Sequence, residues 1–407
     1  MASMFENRAA LSVAYLAVLA GAVACYAALG AVLSLLPQYV SGRLSAGSTV
    51  LGVAVGAPAL SGLLARPRGG RSADRCGPLR PVLAGAAVMA AGAVPAALSA
   101  TVGALLLTRL ATGFGEGLMM SANVLWLLRL AGPSRRGRAL GHIGLANYAG
   151  LALGPLVTAM LGGPSASVTV FWVAAVLPLL GAASAIGAAR AGLAAHRQRP
   201  ASEGDHGRSP ESRKPSSTRR LLRKTTEPGL GLLLVNVGYV SVLSFGAALA
   251  RANATGLQTL IVPVFAVVII LTRTLGSGVA DRLGGRLTVA VFAGIEAFGL
   301  LTYAYAMDAR LALAALLALS VGQSLAVPGL GLLALAGVPA AEQGAAAGLF
   351  FAWFDAGVGL GGPMVGAVAS LAGPVGALAA GAAAVAGAVL IALARPGDAC
   401  DTGAHRA

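Results

Sequence analysis

The 407-residue chain is 57% hydrophobic and only 11% charged, and its mean hydropathy is +0.81. A soluble globular protein has about 25% charged residues, so this chain cannot cover a water-exposed surface of its size. These values exclude a cytosolic enzyme, a secreted disulfide-bonded domain and a disordered regulator, and they favour a protein embedded in lipid.

The net charge is +15, and the basic residues lie in short segments between long apolar runs. This arrangement favours contact with anionic lipid headgroups, and no motif indicates binding of nucleic acid. The bias toward Arg, Ala and Gly is typical of a GC-rich bacterial genome, which suggests a bacterial inner membrane. Cys25, Cys76 and Cys400 are too scattered for a disulfide framework. Neither these cysteines nor the histidines have metal-ligand spacing, so no metal or cofactor is predicted.

A transmembrane helix needs about 20 mostly apolar residues, and the chain contains twelve such runs. The runs do not alternate as barrel strands do, and backbone groups in lipid must bond within their own segment. The sequence therefore predicts an all-α membrane protein whose twelve transmembrane helices, numbered as spans one to twelve, cover 11–36, 48–65, 81–100, 103–128, 139–162, 167–189, 229–250, 256–275, 287–307, 310–335, 344–370 and 374–394.

The positions of the basic residues predict the orientation of these spans. If the N-terminus is cytoplasmic and the spans alternate, nearly all of the 29 Lys and Arg residues lie on the cytoplasmic side. The gaps on the other side hold Arg43, Arg251 and Arg310, and Arg109 lies within span four. Because basic residues are retained on the cytoplasmic side, both termini of this multi-pass protein are predicted to be cytoplasmic.

The longest polar stretch, Arg190–Glu227, is rich in Pro, Ser, Arg and Gly. It cannot bury enough apolar surface to fold alone, so it is predicted to be a cytoplasmic linker. The predicted organisation is an N-terminal six-helix bundle at 1–189, the linker at 190–227, a C-terminal six-helix bundle at 228–395 and a cytoplasmic tail at 396–407.

The two halves repeat each other at an offset of 207 residues. This offset aligns Arg66 with Arg273, and it aligns the Ala-Asp-Arg sequence at 73–75 with the same sequence at 280–282. It also aligns Gly150 and Gly154 with Gly357 and Gly361. Composition does not explain the Asp and Arg matches. Two similar halves are the pattern of a carrier whose halves move about a central site.

Several of these segments resemble motifs of the major facilitator superfamily. Residues 70–80 look like its cytoplasmic signature loop, and residues 278–286 are a weaker copy of that loop. Residues 109–115 in span four resemble its intramembrane Arg-Gly motif. Residues 150–155 in span five resemble the Gly-Pro motif associated with its exporters. The resemblance covers nearly the whole chain and implies the major facilitator fold, with two pseudo-symmetric six-helix bundles.

The resemblance also implies a gate on the cytoplasmic side. In that family the signature loop latches the two halves together in the outward-open state, with partners that include the beginning of span eleven. The family often has an acid at the inner end of span four, where this sequence has Arg129. The residues that the resemblance assigns to the gate are Gly70, Arg71, Asp74, Arg75, Gly77, Arg80, Asp281 and Arg282.

Ionisable residues within spans indicate function, because a charge in the bilayer centre costs roughly 2.5 kcal/mol or more. Arg109, Glu116 and Asn123 recur every seven residues, so they share one face of span four. Arg109 and Glu116 are separated by a rise of about 10.5 Å, which makes a direct ion pair unfavourable. Glu116 and Asp355 both fall near the midplane, one in each half. We expect them to bind and release protons, with Arg109 tuning the local field.

Further polar and aromatic residues within the spans are candidates for binding the substrate, although each could equally serve ordinary helix packing. Glu296 in span nine could take part in transport or only in packing. The candidate substrate-binding residues are Tyr26, Asn123, Asn147, Tyr148, Asn236, Tyr239, Gln323 and Trp353.

The predicted function is secondary active transport of a small molecule by alternating access, coupled to protons. Its expected partners are the substrate, protons and membrane lipids, and the carrier is expected to be monomeric. Export of a drug or natural product is favoured by the Gly-Pro motif and by the acid in span four. The alternative within this class is uptake of a nutrient or organic acid, for which Arg109 could bind an anion. A membrane-embedded transferase is disfavoured by the short outer gaps, and a channel by the lack of a filter motif.

Overall fold

The computed structural model describes residues 2–131, 136–197, 218–276, 278–339 and 342–394. Helices dominate these ranges, and no strand occurs within them. A π-helical turn at Tyr39–Arg43 and a 3-10 turn at Gly163–Ala166 accompany the α-helices. In chain order these are α1 (Ala2–Gln38), α2 (Ser48–Cys76), α3 (Leu79–Leu98), α4 (Val102–Ala131), α5 (Arg136–Met160), α6 (Ser167–Arg197), α7 (Thr218–Ala252), α8 (Ile261–Leu275), α9 (Val279–Leu283), α10 (Gly285–Tyr305), α11 (Ala309–Leu335) and α12 (Gln343–Leu393).

The predicted all-α membrane class is confirmed. In the described ranges, nine helices are long and apolar enough to cross a membrane. Neither α4, which carries Arg109 and Glu116, nor α8, an apolar helix of 15 residues, is among the nine. The 51 residues of α12 cover both of the last two predicted spans, and Gly373 leaves helical geometry between those spans at φ 67° and ψ −175°. These helices are compatible with twelve membrane crossings, which stay a prediction.

Several helices continue past the ends of their apolar runs. The predicted gap after residue 65 is instead helical, because α2 continues to Cys76 and places Gly70, Arg71, Asp74 and Arg75 on its last turns. The predicted linker is helical at 190–197 and 218–227, where α6 ends and α7 begins. Its middle part, 198–217, and the predicted tail lie outside the described residues. A polar segment need not be buried to be helical, so hydropathy underestimates the length of these helices.

Equivalent glycines bring helices together in the two halves. In the first half, α1 packs against α5 at Gly150 and Gly154, where an added methyl group would overlap α1. In the second half, α12 packs in the same way against α7 at Gly357 and Gly361. Small residues allow such close backbone approach. The offset of 207 residues is therefore visible in the packing as well as in the sequence.

The two halves meet where α2 packs against α12 and where α5 packs against α8. A methyl group added to Gly56 would lie 2.6 Å from the carbonyl oxygen of Gly359, and one added to Gly366 would lie 2.8 Å from that of Ser48. No side chain fits between the backbones there. The halves are thus in close contact on the side that begins α2, which the basic residues predict to be the outer side.

Candidate functional site

One basic and two acidic side chains meet where the halves face each other. Arg66 lies on α2, Glu116 on α4 and Asp355 on α12. Arg66 Nη2 is 3.0 Å from Asp355 Oδ1 and 3.8 Å from Glu116 Oε1. We call these three residues the central charge cluster. It joins Arg66 and Asp355, which are 289 positions apart in the chain, and it brings the carboxylates of Glu116 and Asp355 to the same guanidinium group.

The two carboxylates are much less accessible than the guanidinium. The side chains of Glu116 and Asp355 are 10% and 3% exposed, whereas the side chain of Arg66 is 30% exposed. Asp355 Oδ2 and Arg66 Nε are buried and have no hydrogen-bond partner among the described residues. With both acids ionised, the cluster carries one more negative than positive charge. A proton on either acid would balance it, which is favourable where water cannot screen the charge.

Tyr26 on α1 completes the surroundings of Glu116. Its hydroxyl donates to Glu116 Oε1 over 2.5 Å, a short distance typical of a hydrogen bond to a carboxylate. Gly62 lies beside the second carboxylate oxygen, since a methyl group added there would be in van der Waals contact with Glu116 Oε2 at 3.5 Å. Tyr26 was expected to bind substrate, and the structure supports a role for it in orienting Glu116.

A second contact crosses between the halves at the equivalent position of the repeat. Arg273 on α8 lies over the ring of Tyr148 on α5, with its guanidinium carbon 4.8 Å from the ring centroid. Arg273 Nη2 also lies 3.5 Å from the Tyr148 hydroxyl. Arg273 follows Arg66 by 207 residues, and Asp355 follows Tyr148 by the same number. The two halves therefore make one contact twice, once as an ion pair and once as a cation–π pair.

Arg109 lies apart from the central charge cluster. Its side chain is buried, and its Nε donates to the carbonyl oxygen of Ala54 on α2 over 2.8 Å. Its Nη1 has no hydrogen-bond partner in the described part of the chain. In the same part of the chain, Arg109 and Glu116 form no ion pair with each other, in agreement with their spacing on α4. An influence of Arg109 on proton binding would have to act through its field.

The remaining candidate substrate-binding residues divide by position. Asn123 and Asn147 are buried in the first half, and the Asn147 amide contacts the sulfur of Met120 at 3.5 Å. Asn236 and Gln323 are buried in the second half, with Gln323 Nε2 3.4 Å from Asn236 Oδ1. The ring of Tyr239 packs on that of Phe265. Trp353 is partly exposed, packs against Gly229 and lies two residues before Asp355.

The predicted gate is exposed in this conformation. Asp74 pairs with Arg129 of α4 over 3.2 Å, within the same half, and both side chains are largely exposed. Asp281 and Arg282 lie exposed on the short helix α9. Gly77 and Gly284, one in each copy of the loop, have φ values of 81° and 77°. Positive φ values of this size favour glycine at the end of a helix. Residues 340–341, just before α12, lie outside the described residues.

Arg66 is the site residue that sequence reasoning missed. Its charge ends the apolar run of span two, so it is counted with the cytoplasmic basic residues that set the orientation. The signal was nevertheless present, because Arg66 and Arg273 are matched basic residues at the same position of the two repeats. Among the described residues, no group of His, Cys, Asp and Glu side chains is arranged to hold a metal ion.

Comparisons with known proteins agree with this architecture. A sequence model described as Major Facilitator Superfamily matches residues 18–362. A protein of Burkholderia mallei, named as an uncharacterized MFS-type transporter, is 30% identical over 354 residues, which cover 85% of this chain and 83% of that protein.

Two solved structures share the fold at low sequence identity. The crystal structure of a peptide transporter has a TM-score of 0.74 at 15% identity and covers 93% of each chain. That of the nucleoside transporter NupG has a TM-score of 0.71 at 14% identity and covers 94% of this chain and 98% of that one.

Proposed function

The chain belongs to the major facilitator superfamily, and from this premise we propose that it couples proton movement to export of a hydrophobic or amphipathic compound. Membership makes it a multi-pass membrane transporter rather than an enzyme. The finer proposal rests on one observation, the position of Arg66 between Glu116 and Asp355 at the contact between the halves.

Proton binding at this place would change how the halves hold together. While Asp355 is ionised, its ion pair with Arg66 joins α12 to α2. A proton on Asp355 removes the charge that Arg66 binds, and a proton on Glu116 frees Arg66 to bind Asp355 alone. Each change in protonation therefore alters the attraction between two helices that belong to different halves, which is what coupling to alternating access requires.

The direction and the substrate class are supported by residues around the cluster. The Gly154-Pro155 sequence resembles the exporter motif, and in the structure Gly154 packs closely on α1. Tyr26 and Trp353 are partly exposed aromatic residues near the cluster, and aromatic surfaces suit hydrophobic or amphipathic compounds. In antiport, the cluster would release its proton on the cytoplasmic side before the substrate binds there.

Uptake of an organic acid is the second candidate. It is favoured by two arginines, Arg66 and Arg273, that reach across the contact between the halves and whose Nε atoms are buried without a hydrogen-bond partner in the described ranges. Each guanidinium group could bind an anion. In this case substrate and protons would move in the same direction, whereas in export they would move in opposite directions.

The proposal is tested in proteoliposomes that contain a pH-sensitive dye and are exposed to panels of amphipathic cations and organic acids. We expect at least one amphipathic compound to drive proton movement opposite to its own. Glu116→Gln and Asp355→Asn should each abolish this movement. The matched control is Asp308→Asn, because Asp308 is an exposed carboxylate that caps α11 and an amide can still accept its hydrogen bonds.

The outcomes separate the candidates. Proton movement in the same direction as an organic acid would replace the export proposal with uptake. Unchanged proton movement in both Glu116→Gln and Asp355→Asn would contradict a role of the cluster in coupling.

A further inference from the structure

A second buried polar group lies in the C-terminal half and takes no part in the function proposed above. Glu296 on α10 is 1% exposed and faces Gln323 on α11, which in turn contacts Asn236 on α7, and both amides are also buried. In the described ranges, the ion pairs join Arg66 to the two central acids and Arg129 to Asp74, so none includes Glu296. A buried ionised carboxylate without a cation is strongly disfavoured, and more so within a membrane-spanning segment.

The Gln323 side chain can satisfy Glu296 in two orientations. In one, the Gln323 oxygen faces both carboxyl oxygens of Glu296, while its nitrogen donates to Asn236 Oδ1 over 3.4 Å. This orientation requires a proton on Glu296, which then donates to Gln323. In the other, the amide is turned and its nitrogen lies 2.8 Å and 3.1 Å from the two carboxyl oxygens. That orientation suits an ionised Glu296.

The protonated state leaves a complete chain of hydrogen bonds. Glu296 donates to Gln323, Gln323 donates to Asn236, and Asn236 Nδ2 donates to the carbonyl oxygen of Leu232 over 2.7 Å. Loss of the proton requires Gln323 to turn, which places its oxygen toward Asn236 Oδ1 and removes the second bond. The orientation of the amides therefore depends on whether Glu296 holds a proton.

The internal repeat places this group at the level of the central charge cluster. Gln323 follows Glu116 by 207 residues, so the two occupy the same position on equivalent helices. The first half has its acid at that position. The second half has an amide there and an acid on the neighbouring helix, where the first half has Met89. Glu116 and Gln323 thus occupy equivalent positions, but Glu116 contacts Arg66, whereas Gln323 contacts Glu296.

Asn236 connects the group to the helix that carries Asp355. A methyl group added to Gly357 would lie 2.9 Å from the Cβ atom of Asn236, and Gly357 is two residues after Asp355. Asn236 therefore lies at the contact between α7 and α12.

We propose that Glu296 is a second proton-binding site, which holds its proton against Gln323 and reports the presence of that proton through Asn236 to α12. Binding transfers a proton from water to a carboxylate oxygen of Glu296 and neutralises it, and release returns the proton to water. Asp355 of the central charge cluster lies two residues before Gly357, which packs on Asn236, and it forms its ion pair with Arg66. The role of this second site rests on the proposed transport function, but the proton on Glu296 can be detected without a transport assay.

Infrared difference spectra of the purified protein in light and heavy water test the proposal without a transport assay. At neutral pH, Glu296→Gln should lose the carbonyl stretching band of a protonated carboxylic acid. The matched control is Asp308→Asn, which removes an exposed carboxylate and should lose the bands of an ionised group instead. Loss of an ionised carboxylate band in Glu296→Gln would overturn the proposal.

A second variant keeps the test decisive if Glu296→Gln does not fold. Gln323→Leu removes the acceptor of the Glu296 proton and leaves the carboxyl group in place, so the protonated-acid band should move to higher frequency. An unmoved band would show that the band belongs to another residue and would also overturn the proposal. A protein that fails every transport assay but shows both spectral changes would retain the second proton site and lose only the proposed function.

Discussion

With both acids ionised, Arg66, Glu116 and Asp355 carry one uncompensated negative charge in a region shielded from water. The guanidinium is the group that makes this arrangement tolerable, since it faces both carboxylates with several donors in a planar fork. Tyr26 adds one further donor to Glu116. At the scale of single residues, therefore, the capacity of the cluster to take up a proton depends on a side chain that also links α2 to α12.

Replacement of Arg66 tests this dependence. Arg66→Gln removes the positive charge and leaves two buried acids facing each other, so we expect one acid to keep its proton and substrate-driven proton flux to fall by about tenfold or more, which corresponds to about 1.4 kcal/mol. Arg66→Lys keeps the charge but not the fork, and its loss should be intermediate. Initial rates of the dye response in proteoliposomes measure both.

The control for this comparison is Arg310→Gln, because Arg310 is exposed at the start of α11 and far from the cluster in the chain. It should retain the wild-type rate. Equal rates in Arg66→Gln and Arg310→Gln would remove Arg66 from the coupling mechanism.

Whole helices are brought together by contacts that the repeat places in both halves. Gly150 and Gly154 pack on α1 as Gly357 and Gly361 pack on α7. The contacts between the halves follow the same offset, with α2 bound to α12 through Arg66 and α8 bound to α5 through Arg273. Only the first of these is an ion pair, so a change in protonation acts on one contact and leaves the other in place.

The second contact is tested with a matched pair of substitutions at Tyr148. Tyr148→Phe keeps the aromatic face and should change the transport rate little. Tyr148→Leu removes it, and we expect a loss of about two- to thirtyfold, since a cation–π interaction contributes about 0.5–2 kcal/mol. The pH dependence of transport should be the same in both variants, because neither substitution changes a residue of the central charge cluster. An equal effect of the two substitutions would show that Arg273 binds the hydroxyl and not the ring.

For the whole molecule, the distribution of charge determines which end of the bundle faces the cytoplasm. The exposed ends of α2, α4 and α9 carry Arg and Asp side chains, including the Asp74–Arg129 pair. The opposite end is where α2 and α12 approach most closely through Gly52, Gly56, Gly362 and Gly366. A carrier closed at the outer end and accessible from the cytoplasm would hold the central charge cluster within reach of cytoplasmic water.

A natural cysteine allows the orientation to be measured. Cys76 is exposed at the end of α2, whereas Cys25 is buried. In a Cys25→Ser, Cys400→Ser variant, a membrane-impermeant thiol reagent should label Cys76 in inside-out vesicles and not in right-side-out vesicles. Ser99→Cys in a background without the other cysteines should give the opposite result, because Ser99 follows α3 at the other end. Labelling of Cys76 from outside would reverse the predicted orientation.

Much of the fold could be predicted because its signals are local. Hydropathy predicted the helices to within a few residues at most of their ends, and it failed where polar helix continues beyond the apolar run, as in α2 past Arg66 and α6 to Arg197. Helix rise predicts that Glu116 and Asp355 each lie near the midplane, one in each half. The partner that joins them could not be predicted, because a long side chain at the end of a span can turn either to water or inward.

The sequence by itself determined that the chain is a helical membrane protein, that its halves repeat, and which acids lie within the spans, because these properties depend on composition, periodicity and the cost of charge in lipid. Only the tertiary structure decided that Arg66 binds both central acids, that Asp74 binds Arg129, and that Glu296 faces Gln323 without a cation. The physical reason is that such partners are set by how separate helices pack against each other, and no local pattern in the sequence encodes that packing.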